Sequence, residues 1–322
     1  MKAISIVNFE GPAALTYGDV GTPRIGPKDV AVAVEASGAN FVEALFARGF
    51  VGIELPWVPG IEAAGTVIAV GQEVRRVKVG ERVAALTINN GGGYGGVAVT
   101  RSELVAPIPD SLDWIQAAAL PANTTTAFAL DGEVAHFGSQ KAVLVLAAVG
   151  GLGSQVGQVA KLRGAGVVVG VVGTEAKKAL ALDLGYDDVV LREELTGDLG
   201  QQFDVVVDPV GGAVREAALG HLRFGGKLLS VGNASQSEPV LVDATQLWLS
   251  GTGVQGFNLG ALCALEPERA SSYLADAVAA VADGAVRIHV EGTAPLADAG
   301  AVLARIEGGA TSGKWVLEHP AA

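Results

Sequence analysis

Residues 142–154 read Ala142-Val143-Leu144-Val145-Leu146-Ala147-Ala148-Val149-Gly150-Gly151-Leu152-Gly153-Ser154. The continuous aliphatic run predicts a strand buried on both faces. The glycines that close it, spaced Gly150-x-x-Gly153 after Ala148, predict a tight turn. Beyond them Val156, Val159 and Ala160 share one face of a helix running to about Arg163. Strand, glycine turn and helix in this order are the context a dinucleotide fingerprint requires. In such a turn Gly150 lets the backbone approach a pyrophosphate, and Gly153 lets the helix pack on the strand. The helix N-terminus offers unpaired N–H groups to the anion.

Working outward, apolar runs of the same kind follow at Val167 to Val172, Asp188 to Leu191, Phe203 to Asp208, Lys227 to Gly232 and Gly253 to Phe257. Most are separated by helix-length segments, such as the one carrying Ala179, Leu180 and Leu184. Strands alternating with helices predict a doubly wound parallel sheet over residues 122–259. Residues 1–121 read differently. Val30, Val32 and Val34 alternate with Ala31, Ala33 and Glu35, and turn signals crowd at Gly11-Pro12, Gly26-Pro27, Pro59-Gly60, Gly71 and Gly80. This predicts a compact, barrel-like β domain, with one short helix from Asn40 to Ala47. After residue 260 the sequence predicts a helix around Ala270 to Ala282, a strand near Val286 to Val290, a helix from Ala297 to Ile306 and a strand at Lys314 to Leu317. This tail does not continue the doubly wound rhythm and is assigned to the first domain. The expected fold is α/β, with a β-barrel domain of residues 1–121 and 260–322 and a nucleotide-binding domain between them.

The tip of the second strand of that domain discriminates between dinucleotides. An NAD site usually places a carboxylate there, which bonds the ribose 2′-hydroxyl and repels a 2′-phosphate. Here the strand ends Val172-Gly173-Thr174-Glu175-Ala176-Lys177-Lys178. Gly173 leaves room, Thr174 donates a hydrogen bond, Lys177 supplies a point charge, and Arg192 after the third strand supplies a bidentate clamp. Glu175 opposes this reading unless it turns away as the first residue of a helix, where a carboxylate suits the dipole. The expected cofactor is NADPH.

Composition narrows the function classes. Lys and Arg number 22 against 34 Asp and Glu, a formal charge of −12, so the surface repels phosphate backbones and anionic lipid and no nucleic-acid or membrane partner is expected. No apolar run approaches the roughly 20 residues of a membrane span, and the N-terminal stretch lacks the pattern of a signal peptide. The single cysteine, Cys263, rules out an intramolecular disulfide and suits the cytoplasm. The four histidines, His136, His221, His289 and His319, do not share a metal-ligand spacing.

Taken in order, several segments resemble the successive motifs of the medium-chain dehydrogenase/reductase superfamily. They are Pro59-Gly60-Ile61-Glu62-Ala63-Ala64-Gly65, Gly80-Glu81-Arg82-Val83, Ala147 to Gly153, Val172-Gly173-Thr174, Asp208-Pro209-Val210-Gly211-Gly212, Gly225-Gly226-Lys227 with Val231-Gly232-Asn233, and Gly313-Lys314-Trp315-Val316-Leu317. Within that superfamily the chain is most similar to the zinc-independent, zeta-crystallin-like quinone oxidoreductases. The resemblance implies a GroES-like catalytic domain beside a Rossmann domain, and NADPH-dependent hydride transfer to a quinone or enone. It implies cofactor contacts at Asn40, Thr126, Gly150, Gly151, Leu152, Gly173, Lys177, Val210, Asn233 and Phe257, and Lys314 in the last motif is assigned with them. Asn40 and Tyr94 are the expected donors to the substrate oxygen.

The zinc-dependent alcohol dehydrogenases of the superfamily carry a cysteine ligand motif where this chain has Ala39-Asn40-Phe41-Val42-Glu43, and Gly-His-Glu where it has Gly60-Ile61-Glu62. No metal is therefore expected. Glu43 and Leu45 replace an Asp and a Tyr of the quinone reductase pattern, which leaves the acceptor open. Two further readings follow: a tailoring enoyl or ketone reductase of specialised metabolism, and a non-catalytic NADPH-binding protein. The resemblance also implies a homodimer joined through the sixth strand, near Gly253 to Phe257.

Overall fold

The computed structural model describes residues 1–138, 140–238 and 240–320. The chain divides into two compact units: Met1–Thr125 with Leu259–Gly284 and Ile288–Ala322, and Thr126–Asn258 with Ala285–Arg287. The first division falls at Thr125, where the sequence suggested residue 121.

The second unit is built on six parallel strands: β1 (Ala142–Val145), β2 (Val167–Val172), β3 (Asp188–Leu191), β4 (Phe203–Asp208), β5 (Leu222–Ser230) and β6 (Gly253–Gly256). Their order in the sheet is β3-β2-β1-β4-β5-β6, so the winding reverses between β1 and β4. Doubly wound sheets bind ligands beyond the strand ends at such a reversal. The helices are α1 (Gly153–Leu162), α2 (Lys178–Asp183), α3 (Gly212–Leu219) and α4 (Ala244–Ser250). Leu144, Val169, Phe203, Val206 and Leu228 form the centre of the core, all but fully buried. Burying each such side chain contributes about 1.5–3 kcal/mol, which explains why aliphatic residues dominate the central strands. β5 starts at Leu222, earlier than the expected Lys227. The register against β4 shifts between Phe203 and Val205, so Gly225-Gly226 interrupt the strand's pattern without ending the strand.

The first unit centres on the strand Asp29–Ala39, which pairs antiparallel with Lys314–Glu318, Glu62–Val70 and Val97–Arg101. The sheet extends through Arg82–Leu86 to Val105–Pro107 on one side and to Val290–Pro295 on the other. Val30, Val32, Val67, Val83 and Val105 pack as one buried cluster, the inward face of the predicted alternation. The strand expected at Val286 to Val290 is corrected: pairing begins at Val290 and runs to Pro295. Val286 and Ile288 are buried without belonging to a ladder, so their period of two reflects burial of an irregular segment. Among the described residues no helix is long and apolar enough to cross a membrane.

Past the end of the last strand, the His319 amide donates to the Glu35 carbonyl at 3.1 Å. The His319 Nε2 stands 2.8 Å from the Ser37 Oγ, and the Ser37 hydroxyl donates to the Gly93 carbonyl. With the serine proton committed to Gly93, the ring nitrogen is the donor of the pair. Nδ1 is buried and has no partner among the described residues. Burial pushes the ring down from 6.5 to about 4. Its folded value therefore lies below its unfolded one, so the stability it permits is intact above the unfolded value and is lost as pH falls toward the folded one. His319→Gln keeps a donor to Ser37 and cannot protonate. In urea titrations the midpoint of H319Q relative to wild type should be flat above about pH 7 and shift in the variant's favour between about 6.5 and 4. A pH-independent difference would contradict a buried neutral ring.

Candidate cofactor and substrate site

The turn after β1 is held by its own backbone. The Gly150 amide donates to the Ala147 carbonyl at 2.8 Å, and the Ser154 amide to Gly150 at 3.0 Å. Ala147 takes a positive φ of 52°, which costs a non-glycine residue about 1–2 kcal/mol and marks a backbone forced into shape by its surroundings. A Cβ on Gly153 would overlap the Ala147 carbonyl, so only glycine lets α1 start this close to the strand. Gly150, Gly151 and Leu152 remain partly exposed at the surface of the turn.

At the tip of β2, Gly173, Thr174 and Glu175 face Arg192 and the α3 residues Ala213 and Ala217 across a cavity of about 530 Å³. A Cβ on Gly173 would stand 2.8 Å from an Arg192 guanidinium nitrogen; the missing side chain is what allows the guanidinium to lie against the strand tip. Glu175, the residue that argued against a 2′-phosphate, is drawn to Lys178 at 3.1 Å. Lys177 ends the short Glu175–Lys177 turn beside the cavity and is not among its lining residues.

Val210 and Asn233 are brought together by a buried carboxylate. Asp208 accepts from the Val210 and Gly211 amides at 2.7 and 2.9 Å and from Arg215 Nε at 2.5 Å, while Arg215 also donates to the Gly232 carbonyl at 2.9 Å. The Ser235 amide then donates to Val210 at 2.8 Å. Phe257 follows β6, its amide bonded to the Ser230 carbonyl at 3.0 Å, and Thr126 is half-buried in the helix Pro121–Leu130.

In the first unit Asn40 precedes the helix Phe41–Ala47, and its amide N–H donates to the Glu43 carboxylate at 2.9 Å. Glu43 also accepts from the Ile61 amide at 3.1 Å. The Asn40 side chain is held at both ends: Nδ2 donates to Glu62 at 2.8 Å and Oδ1 accepts from Lys314 Nζ at 2.6 Å. Lys314 pairs with Glu62 at 2.5 Å, and the other Glu62 oxygen accepts from the Ala122 amide at 2.6 Å. Glu43 and Glu62 are fully buried and Lys314 is 1% exposed. A Cβ on Gly38 would overlap the Glu62 carboxylate, so that glycine makes room for it. Burial pushes Glu43 up to about 7, against the opposing pull of Lys314 and the Ile61 amide. The charged neighbours fix the orientation of the Asn40 amide and leave one Nδ2–H uncommitted.

Two expectations are corrected here. Lys314 was assigned to the cofactor; its ammonium is instead the cation of an internal ion pair. Tyr94 was assigned to the substrate oxygen; it is instead a fully buried core residue among Ile4, Ala39, Ala44 and Leu317. Its hydroxyl lacks a partner among the described residues, and burial, with Glu43 and Glu62 nearby, raises its pKa well above the usual phenol value. In both cases the motif located the residue along the chain but not the face it occupies. The sequence also did not reveal that Glu43 and Glu62 share one network. The available signal was Glu62 itself, a carboxylate followed by the apolar run Ala63-Ala64 and placed where only a partner makes burial tolerable.

Residues 26–110 match the alcohol dehydrogenase GroES-like domain and residues 151–280 the zinc-binding dehydrogenase domain. The quinone oxidoreductase of Pseudomonas aeruginosa is 30% identical, over 98% of this chain and 99% of its own length. Among solved structures, a mycobacterial protein complexed with NADPH aligns at a TM-score of 0.91 and 30% identity, over 99% of each chain. The Escherichia coli quinone oxidoreductase complexed with NADPH aligns at 0.89 and 27% identity, over 99% of this chain and 100% of that one. The chain belongs to the medium-chain dehydrogenase/reductase superfamily, among its quinone oxidoreductases.

Zinc is named in one of those domain descriptions. Among the described residues no three His, Cys, Asp or Glu side chains converge as ligands, and the buried carboxylate Glu62 already holds the Lys314 ammonium. NADPH fits: the backbone from Gly150 to Leu152 is partly exposed at the turn, and Gly173, Thr174 and Arg192 line an open cavity at the tip of β2.

Removing one member of a buried ion pair leaves the other charged and unpaired. Lys314→Met should therefore cost about 3–5 kcal/mol in urea unfolding, and adding Glu62→Gln should recover part of that loss rather than add to it. Additive losses would contradict the pairing.

Proposed function

We propose that this oxidoreductase passes a hydride from NADPH to a quinone or an α,β-unsaturated carbonyl compound, without zinc. The observation that carries the reading is the strand tip of β2, where Arg192 lies against Gly173 and the Glu175 carboxylate is paired with Lys178. The NADPH complexes of the mycobacterial and E. coli relatives support it. When bound, the cofactor supplies the hydride. The chain's residues bind and orient it. The backbone from Gly150 to Gly153 receives the diphosphate, with Gly151 and Leu152 against it. Thr174, Lys177 and Arg192 receive the 2′-phosphate. Thr126, Val210, Asn233 and Phe257 complete the cofactor contacts.

Asn40 acts on the acceptor. Lys314 on Oδ1 and Glu62 on one Nδ2–H fix the amide, so the remaining Nδ2–H is held ready to donate to an oxygen on which negative charge gathers. A preorganised donor of this kind lowers the barrier by about 3 kcal/mol. Water supplies the proton. A cytoplasmic homodimer completes the reading: β6 is the edge strand of its sheet, and Phe224, Trp248 and Leu249 are exposed in the segments next to it.

Titration of nicotinamide fluorescence tests the cofactor reading. NADPH should bind more tightly than NADH, and replacing Lys177 and Arg192 together by Ala should weaken NADPH about a hundredfold, the worth of two charge-assisted bonds, with little effect on NADH. Tighter binding of NADH, or an equal loss for both cofactors, would refute the assignment.

A further inference from the structure

We infer that Tyr186 is a positioning residue for the glycine turn of the second unit, fixing the first turn of α1 in the arrangement that receives a diphosphate. The inference rests on the cofactor reading above and adds to it a side chain that lies outside the turn and outside every motif in the sequence.

Tyr186 sits in the connection between α2 and β3 and is 4% exposed. Its ring occupies a slot made by two missing side chains. A Cβ on Gly157 of α1 would stand 2.5 Å from Cζ and 2.8 Å from the hydroxyl oxygen, and a Cβ on Gly170 of β2 would stand 3.0 Å from Cδ1. The ring is thus wedged between helix and strand. Glycine is the poorest helix former after proline, and the ring accounts for its presence in the interior of α1. The hydroxyl donates to the Gly153 carbonyl at 2.6 Å. Gly153 is the first residue of α1 and the one that packs on the Ala147 carbonyl, so this bond ends on the residue where turn and helix meet.

A phenylalanine would fill the slot equally well. The hydroxyl is the part that reaches the turn. Ala147 is held in the left-handed region, and such a conformation persists only where the surroundings over-determine it. The Tyr186 hydroxyl bond to Gly153 is one of those determinants. Losing it leaves the sheet and helices in place and loosens the geometry of the N-terminal amides of α1, which is the part an anion reads.

Tyr186→Phe in the full chain tests this against two probes: NADPH, followed by nicotinamide fluorescence, and adenosine 2′-monophosphate, which carries the 2′-phosphate but no diphosphate, followed by calorimetry. In the variant the NADPH dissociation constant should rise about tenfold, the net worth of one hydrogen bond, while that of adenosine 2′-monophosphate stays at the wild-type value. Gly157→Ala improves the helix but displaces the ring, and should produce the same selective loss. Unchanged NADPH binding in both variants overturns the inference, as does an equal loss for the two probes. Failure of the wild-type chain to bind NADPH overturns the cofactor reading and this inference together.

Discussion

The close approach of Gly153 to the Ala147 carbonyl is the constraint on which the second unit depends. Any side chain at Gly153 would overlap that carbonyl. With glycine there, α1 begins directly on the strand it follows, its axis is set against β1 and β2, and the chain returns to lay β2 beside β1 in parallel. The rest of the winding repeats this step, and the reversal between β1 and β4 leaves the strand ends open where the turn already presents its backbone. The strain at Ala147 and the ring of Tyr186 beneath α1 belong to the same local problem of holding a tight turn in one shape.

The first unit solves a different problem, the burial of charge. Glu43, Glu62 and Lys314 are all but fully buried, and each is satisfied by a specific partner. Register explains how the lysine arrives there. Trp315 pairs with Ala39 across the sheet, which places Lys314 beside the end of the central strand and within reach of Asn40. A pair of buried charges is a poor source of net stability, but it is demanding about geometry. Here the geometry it demands is the orientation of one amide, that of Asn40.

The strands of the second unit were legible because the central ones are near-continuously buried apolar runs, and five of the six begin where the sequence placed them. β5 was expected only from Lys227, because the apolar run starts after Gly225-Gly226, while the chain enters the strand at Leu222 and only shifts register there. The segment from Val286 to Val290 misled in the opposite way, since a period of two arises wherever alternate residues are buried, whether or not a ladder forms. The tight turn at Gly150 and Gly153 and the strand tip at Gly173 follow from spacing alone. Lys314 and Tyr94 did not, because their roles depend on which face of a strand or loop turns inward. Tyr186 was hidden for a related reason: its meaning lies in two glycines that are distant in sequence and adjacent in space.

Hydride transfer from the dinucleotide to an acceptor carbon is the centre of this account. It is tested most directly by incubating the chain with each of the two C4-deuterated diastereomers of NADPH and a small enone, and locating the label in the product by mass spectrometry and NMR. The account predicts that one diastereomer, and not the other, delivers deuterium to the β-carbon. Undiminished NADPH with no reduced product, or reduced product free of label from both diastereomers, would contradict it.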